Sequence, residues 1–142
     1  MGLIELASGT SVWRGMDYYN EKRVLSWEQT GEEQFEGTVK GESVYHVHLD
    51  IQHPRFSTCD CPFAQGRRVV CKHMIAMYFT IRPQAVADFL KKVEQWKKEA
   101  EEAEKKRIEE IRRSIKRMKK SELQEKYFDA LMELEELKNR YW

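Results

Sequence analysis

Residues 56–81 read FSTCDCPFAQGRRVVCKHMIAMYFTI. Within this stretch Cys59, Cys61, Cys71 and His73 form CxC, a nine-residue insertion and CxH, four soft or borderline donors suited to one tetrahedral ion. Zinc accepts thiolate sulfur at about 2.3 Å and imidazole nitrogen at about 2.0 Å, and four protein ligands leave no position for water or substrate. The donor set therefore points to one structural Zn2+ and away from a catalytic one.

The chain contains three cysteines, all in this cluster. A disulfide framework would leave one thiol over, and a bridge from Cys59 to Cys61 would close too small a ring. The chain opens without an apolar signal segment, so a reducing, cytoplasmic location is expected.

Spacing also indicates how the ligands are presented. Residues two apart on an extended strand share a side, whereas in a helix they lie about 200° apart. Cys59 and Cys61 therefore fit the end of a strand, and Cys71 should stand just before a helix whose first turn carries His73. That helix runs through Met74 to Phe79 and stops before Pro83, because the residue preceding proline is pushed out of the helical region. Its positive end and Lys72 both favour thiolates.

The blocks CDCP (59–62) and CKHMIAM (71–77) closely resemble the SWIM zinc finger, whose pattern is CxC, a variable insertion, then CxH in a strand, strand, helix order. The upstream stretch WRGMDYYNEKRVLSW (13–27) resembles the segment that precedes the finger in many small prokaryotic SWIM proteins. The resemblance covers roughly the first eighty residues and does not reach the C-terminal helices. It implies binding without catalysis. SWIM fingers are associated with DNA binding and protein contacts, beside or within Snf-type helicases, transposases, ubiquitin ligases and recombination-mediator complexes. One scaffold hosts several functions, so the resemblance fixes the zinc site better than the task.

Upstream of the finger, Val12, Trp13, Met16 and Tyr19 fall on one stripe of a short helix that Thr10 or Ser11 could cap, and Gly15 suggests close packing against another backbone. Strands are expected at Arg23–Gln29, Gln34–Val39 and Val44–Ile51, with turns at Thr30–Glu33 and Lys40–Ser43, followed by a strand at Arg55–Thr58. The expected class is α+β: a short N-terminal helix, a small antiparallel meander, a strand-strand-helix zinc finger and a C-terminal helical appendage. The corresponding segments are 1–54, 55–82 and 83–142. So small a module buries little apolar surface, so zinc should matter to its folding.

The net charge of +1 conceals a partition. Residues 1–54 carry 4 basic against 9 acidic side chains, residues 55–83 carry 5 against 1, and residues 84–142 carry 16 against 14. In the basic finger, Gly66 permits a tight turn with Arg67 and Arg68 at its tip, and Arg55, Lys72 and Arg82 lie nearby in sequence. These five cations suit a nucleic-acid backbone; equally, they could solubilise the module and balance its thiolates. Nothing resembles a base-reading helix, so binding would be shape-driven or non-specific. His46 and His48 share a strand face, with His53 close behind, and are read as solvated residues and not as a second metal site or a general base. No nucleophile elbow, phosphate loop or zincin helix occurs, so the chain is not expected to be an enzyme.

Beyond Pro83 the sequence is rich in Glu, Lys and Arg, with apolar stripes at Val86 to Trp96, Ile108 to Met118 and Leu123 to Tyr141. Ser121 with Gln124 resembles a capping box, so a break is expected near Lys119–Ser121. Residues 105–120 hold nine Lys or Arg against two Glu. That basic stretch could meet nucleic acid, an anionic membrane or an acidic partner, or its stems could simply cover an apolar seam. No apolar run is long enough to span a bilayer. Two functions follow as expectations: a module that binds DNA as accessory to a helicase or other DNA-processing machine, or an adaptor whose C-terminal helices dock a protein partner or a second copy. Oligomeric state is left open.

Overall fold

The computed structural model describes residues 2–141. The chain divides between Lys92 and Val93 into two units. The first holds α1 (Leu3–Leu6), α2 (Gly9–Asn20), β1 (Val24–Gly31), β2 (Gln34–Lys40), β3 (Val44–Asp50), β4 (Thr58–Cys59), α3 (Lys72–Ile81) and the opening turns of α4 (Gln84–Arg117). The second holds the remainder of α4 and α5 (Lys120–Tyr141). The architecture is α+β, as the sequence indicates.

The four strands form one antiparallel sheet in the order β1-β2-β3-β4. Period-two alternation decides its faces. Phe35, Val39, Val47 and Leu49 are buried, with Phe35 opposite Leu49 and Val39 opposite Tyr45. Helix α3 lies against these strands and α2 packs on α3. Met74, Ile75, Ala76, Met77 and Phe79 are fully buried, so α3 is a core helix apolar on nearly every side. Each large side chain so buried contributes about 1.5–3 kcal/mol. Gly15 is where α2 and α3 meet. A Cβ there would come within 2.5 Å of the Ile75 side chain and 2.9 Å of the Lys72 carbonyl oxygen, the close backbone approach its position suggested. The first turns of α4 complete this core through Phe89, whose ring meets Trp13 edge-on at 5.2 Å and lies 6.4 Å from Phe79.

Several local expectations are corrected. Helix α2 begins earlier than Thr10 or Ser11 would allow, because Ser8 is its cap: the Ser8 hydroxyl accepts from the Ser11 amide at 3.1 Å. No strand covers Arg55–Thr58. Pro54 starts a 3-10 turn over Pro54–Phe56 instead, and β4 is only Thr58–Cys59. Asp50 organises that turn. Its carboxylate accepts from the His53 amide at 2.9 Å, while its own amide donates to Ser57 Oγ at 3.0 Å.

In the C-terminal region α4 is continuous to Arg117 and the break falls at Met118–Lys119, close to its expected place. Ser121 is not a cap, however, since α5 already begins at Lys120. Among the described residues, no helix is long and apolar enough to cross a membrane.

Candidate metal centre

Each ligand position follows from local structure. Strand β4 ends at Cys59, and a bend carries the chain to Cys61. The Cys61 carbonyl then accepts from the Ala64 amide at 3.1 Å and the Gln65 amide at 2.9 Å, which turns the loop. Gly66 adopts φ +72° within that loop. Cys71 is extended, at φ −93° and ψ 170°, immediately before α3, so it and His73 in the first turn converge as the spacing required.

The four donor atoms lie within 4.8 Å of one another and all four residues are buried. His73 Nδ1 stands 3.8 Å from Cys59 Sγ and 3.7 Å from Cys71 Sγ. A tetrahedral zinc with three sulfurs and one nitrogen would place nitrogen and sulfur about 3.5 Å apart. The donors therefore fit one structural zinc, with Nδ1 as the imidazole ligand.

The opposite ring nitrogen supports that assignment. His73 Nε2 is buried with no hydrogen-bond partner among the described residues. The ring is held sterically, between Tyr45 at 4.7 Å and Tyr18 at 5.5 Å between centroids. Behind it lies Gly41, where a Cβ would come within 2.9 Å of Nε2 and 3.0 Å of Tyr45 Cε2. Sequence spacing gave no sign of this cradle, because Tyr18, Gly41 and Tyr45 come from α2, the β2–β3 turn and β3.

Three thiols this close do not ionise alike before metal arrives. A hydrogen bond from the Cys59 thiol, with His73 and the Met74 amide in support, pushes Cys71 down to about 4. The same bond raises Cys59, and its burial adds to the rise. Burial raises Cys61 as well. The shared bond and burial thus hold Cys71 below the ordinary thiol range and Cys59 and Cys61 above it.

Residues 45–81 match the family described as SWIM zinc finger. The chain carries a SWIM zinc finger. No curated protein and no solved structure matches it. The match includes all four donors, and such a finger is typically a binding module.

Around the SWIM finger the five predicted cations separate. Arg67 and Arg68 are exposed in the loop between Cys61 and Cys71, and Arg55 and Arg68 line one small cleft. Arg67 lies over the Phe63 ring at 5.1 Å and donates to the Phe63 carbonyl at 3.1 Å. Lys72 instead sits over the Tyr18 ring at 5.0 Å. Arg82 is engaged elsewhere: it donates to both Glu33 carboxylate oxygens at 3.0 Å and covers Phe35 at 5.3 Å.

A groove of about 990 Å³ runs beneath the SWIM loop, lined among others by Glu28, Glu36, His48, Asp60, Arg67 and Arg68. The histidines read as solvated each face a carboxylate: His46 faces Asp60 at 3.4 Å, His48 faces Glu36 at 3.5 Å and His53 faces Asp50 at 3.7 Å. Among the described residues, no second group of three or more such donors gathers as the zinc ligands do.

Proposed function

We propose that this chain is a non-enzymatic, zinc-stapled module whose SWIM finger contacts a DNA backbone, as accessory to a helicase or other DNA-processing machine. The observation that carries this reading is the exposed Arg67 and Arg68 on a loop pinned at both ends by the donors Cys61 and Cys71, with exposed Arg55 beside Arg68 at one small cleft. Arginine on a rigid loop is a good phosphate contact, since its planar guanidinium can donate two parallel hydrogen bonds. Glu28, Glu36 and Asp60 keep an anionic backbone to the loop rim and out of the groove. The buried α3 has no face to offer a major groove, so contacts of this kind position the protein without reading bases. Four protein ligands leave the zinc no open position, which argues against metal-assisted catalysis. The test is a salt titration of DNA and RNA binding by zinc-loaded protein. Steep loss of affinity with salt, abolished in R67E/R68E at unchanged zinc content, supports the reading; equal binding by that variant refutes it.

A second reading makes the protein an adaptor acting through its C-terminal helices. It is favoured by the exposure of Ile108, Ile111, Ile115, Leu131, Leu134 and Leu137, each 43% to 54% accessible. Binding of a protein partner that survives truncation after Lys92 would contradict it.

A further inference from the structure

Helices α4 and α5 carry opposite charge next to uncovered apolar stripes. On α4, residues 105–117 hold seven basic against two acidic side chains, whereas on α5 residues 122–136 hold six acidic against one basic. At 100° per residue, Lys105, Arg112 and Lys116 border one side of the Ile108, Ile111, Ile115 stripe and Arg107 borders the other. On α5, Lys126, Glu133 and Glu122 border one side of the Leu123, Leu134, Leu137 stripe, and Lys138, with Glu135 beyond it, borders the other. Among the described residues, those flanking side chains that pair do so only within their own helix. Arg107 and Arg113 pair with Glu104 and Glu109 on their own helix. Among the described residues, Lys105, Arg112, Lys116, Glu122, Glu133 and Glu135 form no ion pair. Nor do the two helices cover each other: Ile111 is 48% exposed, Tyr127 66% and Leu134 54%.

We infer that these helices pair with a second copy of this chain, the basic end of α4 in one copy lying antiparallel along the acidic α5 of the other, and reciprocally. Charge decides the pairing. Contact of α4 with α4 would bring two strongly basic surfaces together, and contact of α5 with α5 would oppose two acidic ones, whereas the crossed arrangement satisfies both at once. A two-fold axis makes it self-complementary and closed, using each stripe once. Leu123 to Tyr141 spans roughly 27 Å and Ile108 to Arg117 roughly 14 Å of helix. Lys and Arg stems would extend the apolar seam while their heads meet the partner's carboxylates.

This deepens the adaptor reading by committing the helices to one occupant, and it is independent of DNA binding by the finger. The experiment measures the mass of the zinc-loaded full chain by sedimentation or light scattering across concentration. Two charge-reversal variants are compared with it, K105E/R112E/K116E and E122K/E133K/E135K, with zinc content and helicity checked on each. The expected result is a dimer for the unaltered chain, monomers for each variant alone, and a restored heterodimer when the two variants are mixed in equal amounts. The dimeric mass of the unaltered chain separates pairing between chains from a hairpin within one, and the restored heterodimer assigns that pairing to these charges. A monomeric unaltered chain, variants that still dimerise, or a mixture that stays monomeric overturns the inference. A monomeric chain that still binds a different protein through residues 93–142 would retain the adaptor reading, so the two failures are distinguishable.

Discussion

Gly41 stands directly behind His73, so that a Cβ on it would come within 2.9 Å of Nε2 while Nδ1 faces the cysteine sulfurs. The imidazole is thus aimed by lack of bulk behind it, where many metal-bound histidines are aimed by a hydrogen bond to the second nitrogen. Gly41→Ala should push the ring toward the sulfurs and weaken zinc binding by about ten- to a hundredfold, the usual range for groups that orient a ligand. Competition with a chromophoric chelator measures this. An unchanged affinity would show that the ring finds its place without the gap.

Zinc loading should release protons in a fixed proportion. Cys71 is lowered by its bond from the Cys59 thiol, whereas Cys59 and Cys61 are raised, so Cys71 is expected to give up its proton first and the other two to keep theirs until metal binds. About two protons should therefore leave per zinc at pH 7, and affinity should fall as the pH drops, since protons then compete for the sulfurs. Titration calorimetry in buffers of different ionisation enthalpy counts them. Release of three, or of none, would contradict the ionisation pattern described.

The contact between α2 and α3 makes a stability prediction of opposite signs in volume and the same sign in energy. Gly15→Ala inserts a methyl where Ile75 and the Lys72 carbonyl leave no room, and should cost about 1–3 kcal/mol. Ile75→Ala leaves a cavity at a fully buried position and should cost about 2–5 kcal/mol. Denaturant unfolding of the zinc-loaded protein tests both. A neutral Gly15→Ala would mean that α2 can move away from α3 freely.

Among the cations, position predicts which substitutions reach nucleic acid. Arg82 is held by Glu33 and Phe35, so Arg82→Ala should leave DNA affinity within about twofold. Arg67→Ala and Arg68→Ala should each lower it and reduce the slope of log affinity against log salt by about 0.9 for each phosphate that is no longer neutralised. Parallel salt titrations compare the three, and an Arg82 effect equal to that of Arg67 would move the binding surface to the far end of α3.

What could be read in the sequence was what period and spacing encode. The CxC and CxH pairs placed Cys59 and Cys61 at a strand end and Cys71 just ahead of a helix bearing His73, and β1 to β3 followed from alternation such as Phe35, Gly37, Val39. Packing between distant segments was not legible. Tyr18, Gly41 and Tyr45 meet around His73 only once β2 turns into β3 beneath α3, and Arg82 met Glu33 across 49 residues. Short elements were misjudged for a local reason: one turn organised by Asp50, Ser57 and Pro54 replaced the strand that composition suggested before Cys59.

The most direct test of the account is X-ray absorption at the zinc edge on protein carrying one zinc per chain. Closure of the site by Cys59, Cys61, Cys71 and His73 Nδ1 predicts three sulfurs at about 2.3 Å, one nitrogen at about 2.0 Å and no oxygen. A shell with two sulfurs, or with an oxygen at the ligand distance, would contradict a closed structural centre and reopen the question of chemistry at the metal.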